Sequence, residues 1–247
     1  MPFDEIYGLH IKPGLPVGRF DIRPGPFMAA EDGFRIMIKG MGGHASVPHL
    51  CKDAIVCAAS IVAELQTIVA RVLDPAELAV VSVTSILGDN VKNAISSEAI
   101  VEGDCRHFSS DISNKIEAAL RRIVRGVTIA HGCEAEVSYE RVFIPLVNEE
   151  NATRLAMAAA RVVFGYENVS SDAPREGGAE DFAQALQIAP GAFANIGNGD
   201  SAVGHSSEFE FNDEALLPGA HWFAELVRQR LPAQESSSKP IPDSDGD

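Results

Sequence analysis

The string FRIMIK at residues 34–39 sets Phe34, Ile36 and Ile38 on one face, the two-residue period of a half-buried strand, and glycines at 40, 42 and 43 end it. Over residues 53–73, Ile55, Ala58, Val62, Leu65, Ile68, Val69 and Val72 recur at three and four, which predicts one long amphipathic helix. Residues 78–87 are rich in β-branched side chains. Residues 99–108 alternate Val101, Gly103 and Cys105 against Glu102, Asp104 and Arg106, so two more strands follow. A second helix carries Ile112, Ile116, Leu120, Ile123, Val124 and Val127 as its buried stripe, with N-cap candidates at residues 109–111, and residues 134–141 alternate again. The order over residues 33–142 is β-α-β-β-α-β. That is the split βαβ, ferredoxin-like arrangement, an antiparallel sheet with both helices on one face.

The flanks are of a different kind. A short apolar strand over residues 6–9 ends at His10 and runs into the loop IKPGLPVG, a piece too short to fold alone. After Pro145, helical patterns at residues 151–164, 179–186 and 214–231 alternate with a candidate strand at residues 192–196, which suggests an α/β layer interrupted by the βαββαβ unit. We therefore expect catalytic-layer segments at residues 1–30 and 146–232, an inserted domain at residues 31–145, and a disordered, acidic tail rich in Ser and Pro at residues 233–247.

Charge narrows the partners. The 247 residues carry 35 acidic and 20 basic side chains, a formal charge of −15, with no basic patch, so nucleic acid and anionic membranes are not expected partners. The four cysteines, Cys51, Cys57, Cys105 and Cys133, form no C-x-x-C pair and no ladder of spacings, which points to a reducing cytoplasm. No secretory leader is apparent, and no run reaches the ~18 apolar residues that a membrane helix needs.

Several motifs offer chemistry. Residues 40–45, GMGGHA, satisfy G-x-G-x-x-A, yet the strand before them alternates with Arg35 and Lys39 and no acidic residue follows the next strand, so a dinucleotide site is disfavoured. No G-x-S-x-G elbow exists. Cys57 and Cys105 fall on apolar faces and read as small buried hydrophobes. His10 at a strand end and His205 in the loop VGHSSEF are placed as metal ligands commonly are. His44 follows two glycines that expose its imidazole or, in the plainer reading, opens a helix. His107, His131 and His221 lie in or beside periodic segments.

Six blocks in order, EIYGLHIKPGLPVG, IKGMGGHASVPH, NVKNAISSEAIVEGDCRHF, GGAEDFA, NIGNGDSAVGH and EFEFNDEAL, resemble the metal-dependent amidohydrolases and metallopeptidases of the aminoacylase, hippurate hydrolase and indole-acetyl-amino-acid hydrolase type. The resemblance implies a two-metal-aminopeptidase-like catalytic domain interrupted by a ferredoxin-like lid that also dimerises. By position, His10 resembles the ligand of one divalent cation (Zn, Mn, Co or Ni) and His205 the ligand of the other, the two pointing into one cleft. His44, Asn93 and Arg106 resemble lid residues that meet the carbonyl or carboxylate of a small amide substrate, His44 reaching toward the partner copy of a homodimer. Glu180 and Asp181 correspond to an acidic pair near the site, or simply cap a helix.

The chain departs from the family pattern in lacking the segment that carries the Cys and His ligand pair and the adjacent glutamates, one of them the general base; no H-x-D occurs, the C-x-H at residues 105–107 falls within a strand pattern, and the adjacent acidic pairs, Glu149-Glu150 among them, lie in other blocks. It reads as the C-terminal portion of such an enzyme, with hydrolysis of N-acyl amino acids as the activity it serves and little activity alone. The alternative is a non-catalytic dimerisation or binding module.

Overall fold

The computed structural model describes residues 3–89 and 91–231, and the tail expected at residues 233–247 lies outside them. In chain order come β1 (Ile6–Lys12), β2 (Phe20–Asp21), β3 (Gly25–Met28), β4 (Ala30–Lys39), the short β5 (Gly43–His44) and α1 (Ala54–Leu65). Next are β6 (Ala79–Gly88), β7 (Ala94–Ile95), β8 (Glu98–His107), α2 (Ser110–His131), β9 (Glu134–Phe143), β10 (Leu146–Asn148) and α3 (Glu150–Phe164). The last are β11 (Val169–Ser170), the single-turn α4 (Phe182–Ala185), β12 (Gly191–Gly197) and α5 (Leu216–Arg230). The fold is α/β, and no described helix is long and apolar enough to cross a membrane.

Two compact units result. The first comprises Met1–Gly8, Ile22–Thr153 and Ser171–Phe193; the second comprises Leu9–Asp21, Arg154–Ser170 and Ala194–Asp247. In the first unit an antiparallel sheet runs in the order β6-β8-β4-β9, with β4 paired to β8 from Ala30 opposite His107 to Lys39 opposite Glu98. The inward positions of β4 and β8, Phe34, Ile36, Ile38, Val101 and Cys105, meet Ile61 and Leu65 of α1 and Ile116 and Leu120 of α2, all buried. Each fully buried aliphatic side chain contributes about 1.5–3 kcal/mol. Gly103 sits inside a strand because a Cβ there would collide with the Phe34 ring.

Local chemistry sets the helix ends. The Asp53 carboxylate accepts from the N–H groups of Ile55 and Val56 at 2.9 and 3.1 Å, and Ser109 accepts from Ile112 at 3.3 Å. Gly132, at φ 63°, terminates α2 in the left-handed conformation. The helix expected over residues 53–73 is not continuous. It stops at Leu65, and the chain widens into a π-helical turn at Ile68–Val72 that ends with Leu73 N–H donating to the Ile68 carbonyl at 3.1 Å. The apolar stripe continues through this change of winding, which is why spacing alone cannot reveal it.

In the second unit β2 lies between β12 and β11, within a sheet ordered β1-β12-β2-β11. Phe20, Phe164 and Trp222 form its aromatic core, with Phe20 centred 5.4 Å from Phe164 and 5.3 Å from Trp222. The indole N–H of Trp222 donates to the Ala156 carbonyl at 3.1 Å.

The first unit also buries a charge. β4 begins at Ala30, four residues before the apolar alternation, because Asp32 occupies an inward position and is 1% exposed. Its Oδ2 accepts from His107 Nε2 at 2.9 Å, Ser113 Oγ at 2.6 Å and Tyr139 Oη at 2.7 Å, joining β4 to β8, α2 and β9. Burial pushes the carboxyl up, but the three hydrogen bonds outweigh it and hold its pKa below the usual carboxylate range. Asp32→Ala leaves three buried donors unpaired at about 1–3 kcal/mol each, so, at about 2–4 °C per kcal/mol for a chain of this size, the unfolding midpoint should fall by at least ~6 °C. Because the folded pKa is depressed, this stability is fully present above the unfolded-state value near ~3.9 and lost as pH falls through the folded value. Melts of wild type and Asp32→Ala from neutral to strongly acidic pH should therefore converge only below ~4.

Candidate functional site

In the second unit β1 does not stop at His10 but continues to Lys12, so the imidazole projects from within a strand. His10 is exposed and borders an apolar hollow with Leu9, Ile196, Phe211, Leu216 and Phe223. Its Nδ1 lies 2.6 Å from the Ile11 carbonyl oxygen. A carbonyl only accepts, so Nδ1 carries the hydrogen of the neutral ring and the lone pair sits on Nε2. That backbone anchoring is how a ligating histidine is usually oriented. His205 is exposed in the loop between β12 and α5 at φ 65°, and the base of that loop is bonded to β1 through Asn198 N–H to Lys12 carbonyl at 3.0 Å.

Among the described residues no group of three or more His, Cys, Asp or Glu side chains is arranged to hold a metal ion. Each of these two imidazoles thus has the chemistry of one ligand without a complete coordination shell.

In the first unit, His44 lies on the β5–β7 ribbon rather than at a helix start. It faces Ala94, and the Ala45 N–H donates to the Asn93 carbonyl at 3.0 Å, so His44 and Asn93 occupy adjoining positions. The His44 Nδ1 accepts the Ser46 N–H at 3.1 Å, with Ser46 Oγ 2.7 Å away. The neutral ring therefore presents an Nε2 hydrogen, the tautomer opposite to that of His10. Spacing gave no hint of Ser46.

The glycines before His44 admit close backbone approach: a Cβ on Gly40 would strike the Lys52 carbonyl, and one on Gly42 the Ile95 carbonyl. A ribbon and a 3-10 turn at Pro48–Leu50 follow, not a helix cradling a phosphate, in keeping with the disfavoured dinucleotide reading.

Arg106 is placed apart from that ribbon, on the outward face of β8, where it pairs with Glu31 at 2.9 Å and Asp104 at 2.8 Å. Burial works against its charge, yet these carboxylates raise its pKa above the ordinary arginine value. Glu180 Oε1 accepts from Phe182 N–H at 3.3 Å, while Asp181 makes no capping bond to α4. The thiol of Cys105 is pushed up to about 12 by burial, and that of Cys57 to about 12 by burial and its neighbour Cys133, so neither is a nucleophile.

Residues 1–229 match the profile of Peptidase family M20/M25/M40. The chain belongs to this family. It is 34% identical over 222 residues to the N-acetylcysteine deacetylase of Bacillus subtilis, covering 90% of this chain and 58% of that protein. It is 33% identical over 231 residues to the N-acetyldiaminopimelate deacetylase of Leuconostoc mesenteroides, covering 92% and 59%. Among solved structures, the M20 YXEP protein of Bacillus subtilis, a dinuclear metal-binding peptidase, superimposes with a TM-score of 0.75 at 30% identity, covering 91% of this chain and 56% of that one. This M20 chain thus spans less than two thirds of the length of these relatives.

The ring tautomers are directly testable. Two-bond proton–nitrogen correlation spectra of the neutral imidazoles should show His10 protonated on Nδ1 and His44 on Nε2. The same tautomer in both rings would contradict the hydrogen-bond assignment.

Proposed function

We propose that this M20 chain serves the hydrolysis of an amide bond in N-acyl amino acids or related small amides, with divalent cations as cofactors. The observation that carries the reading is that one family profile runs through residues 1–229, taking in His10, His44, Asn93, Arg106 and His205, while relatives over the same span are named deacetylases. In this reading His10 and His205 each give one imidazole to a different cation. Bound cations would supply an activated water and charge stabilisation.

The chain's own contribution is orientation. His10 offers its Nε2 lone pair, and the Nε2–H of His44, with the Asn93 carboxamide, donates to the oxyanion that develops on the substrate carbonyl. Arg106, held by Glu31 and Asp104, recognises a substrate carboxylate through its remaining guanidinium edge. The unit from β4 to β9 acts as a ferredoxin-like lid and as the dimerisation surface. Its edge strand β6 exposes Val80, Ile86 and Leu87 at 49%, 51% and 53%, and pairing two such edges satisfies their backbone groups. His44 would then act toward the partner copy. We place the protein in the cytoplasm, where its four free cysteines stay reduced.

A second reading, a binding module without catalysis, is favoured by the lack of any three-residue metal cluster among the described residues. On either reading the purified chain with Mn²⁺, Zn²⁺ or Co²⁺ should turn over hippurate and N-acetyl amino acids negligibly, because incomplete coordination gives weak metal binding. Fusing it to the stretch of N-acetylcysteine deacetylase that the match leaves uncovered separates the two. The enzyme reading expects a dimer by sedimentation and deacetylation cut at least ~100-fold by His44→Ala. A folded, metal-loaded fusion that hydrolyses no N-acyl amino acid would refute it.

A further inference from the structure

Among the described residues, His205 is the one non-glycine with a left-handed backbone, at φ 65°. That conformation is unfavourable for any side chain with a Cβ and persists only where its surroundings impose it. The bonds that close its loop converge on one buried residue, Asn198, which follows β12 and is 2% exposed. The Asn198 Nδ2 donates to Ser201 Oγ at 2.7 Å and to the Glu210 carbonyl at 2.8 Å, and its Oδ1 accepts the Asn212 N–H at 2.8 Å. One carboxamide thereby fastens the start of the loop to its end. Its own N–H donates to the Lys12 carbonyl at 3.0 Å, two residues beyond His10. Asn212 extends the clasp by accepting the Glu214 N–H at 3.0 Å, at the turn leading into α5.

We propose that Asn198 is a positioning residue: its carboxamide closes the His205 loop, imposes the left-handed backbone at His205, and fixes the loop's base to the strand that carries His10. Only the functional consequence, correct placement of the second imidazole, rests on reading His10 and His205 as ligands; the mechanical link does not. Asparagine suits the task because it supplies two donors and an acceptor in one plane, whereas aspartate supplies acceptors alone.

Sites that share no structural link contribute additively to stability, whereas linked sites do not. In thermal melts of the metal-free chain, His205→Gly removes the backbone penalty and should raise the midpoint by about 2 °C. In the Asn198→Ala background the released loop has already relaxed, so the same change should raise it by less than ~1 °C. Equal increments in both backgrounds would overturn the proposal.

Amide exchange supplies the readout that a merely structural role would not move. Asn198→Ala and Asn198→Asp should speed exchange across residues 200–211 at least ~10-fold while β12 changes little, and a uniform loss of protection would overturn the claim. If Asn198→Ala fails to fold, Asn198→Asp carries the same cycle with His205→Gly and is judged by the same outcomes. A non-additive cycle alongside a His205→Ala variant with unaltered metal content in the fusion would retain the clasp and discard the ligand reading; an additive cycle with altered metal content would do the reverse.

Discussion

The close approach of the backbone around β1 to β12 is the constraint on which the candidate site depends. β12 is buried over all seven residues, and both of its ends are glycine. A Cβ on Gly191 would strike the Ile6 carbonyl, and one on Gly197 the Pro16 carbonyl. Any larger residue would force the chains apart at one end or the other, and the bonds from Asn198 to Lys12 and between Gly14 and Gly199 would be lost with it. A strand that buries every residue must also satisfy every backbone polar group. Within β12 an asparagine side chain helps to meet that requirement, since the Asn148 carboxamide bonds both the N–H and the carbonyl of Phe193.

The same economy of side-chain amides recurs in the first unit. Asn148 is 2% exposed and gives its two amide hydrogens to the Arg23 and Phe193 carbonyls at 2.9 Å each, while its oxygen accepts the Phe193 N–H at 2.7 Å. Asp32 does the corresponding work in the βαββαβ sheet with a charged acceptor. These buried polar groups fix where strands end and which loops they release, while the imidazoles of His10, His44 and His205 lie exposed.

Strands and helices with an uninterrupted apolar period were legible in the sequence, as β6, β8 and α2 show. The first four residues of β4 were not, because Asp32 takes an inward position that alternation reserves for apolar side chains. Residues 179–186 form only the single turn of α4, since the glycines and acidic residues before Phe182 supply no helical stripe. The imidazoles were legible as residue types in short motifs. Their supports were not: Ser46 and Asn198 act through one or two hydrogen bonds in segments that read simply as turns, and no period marks them. The left-handed backbone at His205 was likewise invisible, since histidine carries no preference strong enough to announce it.

The central claim is that His10 and His205 serve different cations of one centre. It is tested most directly by counting metal in the fusion with the uncovered deacetylase segment, loaded with Co²⁺ and washed free of excess. The account predicts that His10→Ala and His205→Ala each lower the cobalt bound per chain by about one ion, and that the double variant loses both. Unchanged cobalt content in either single variant would contradict it, as would loss of the same ion in both.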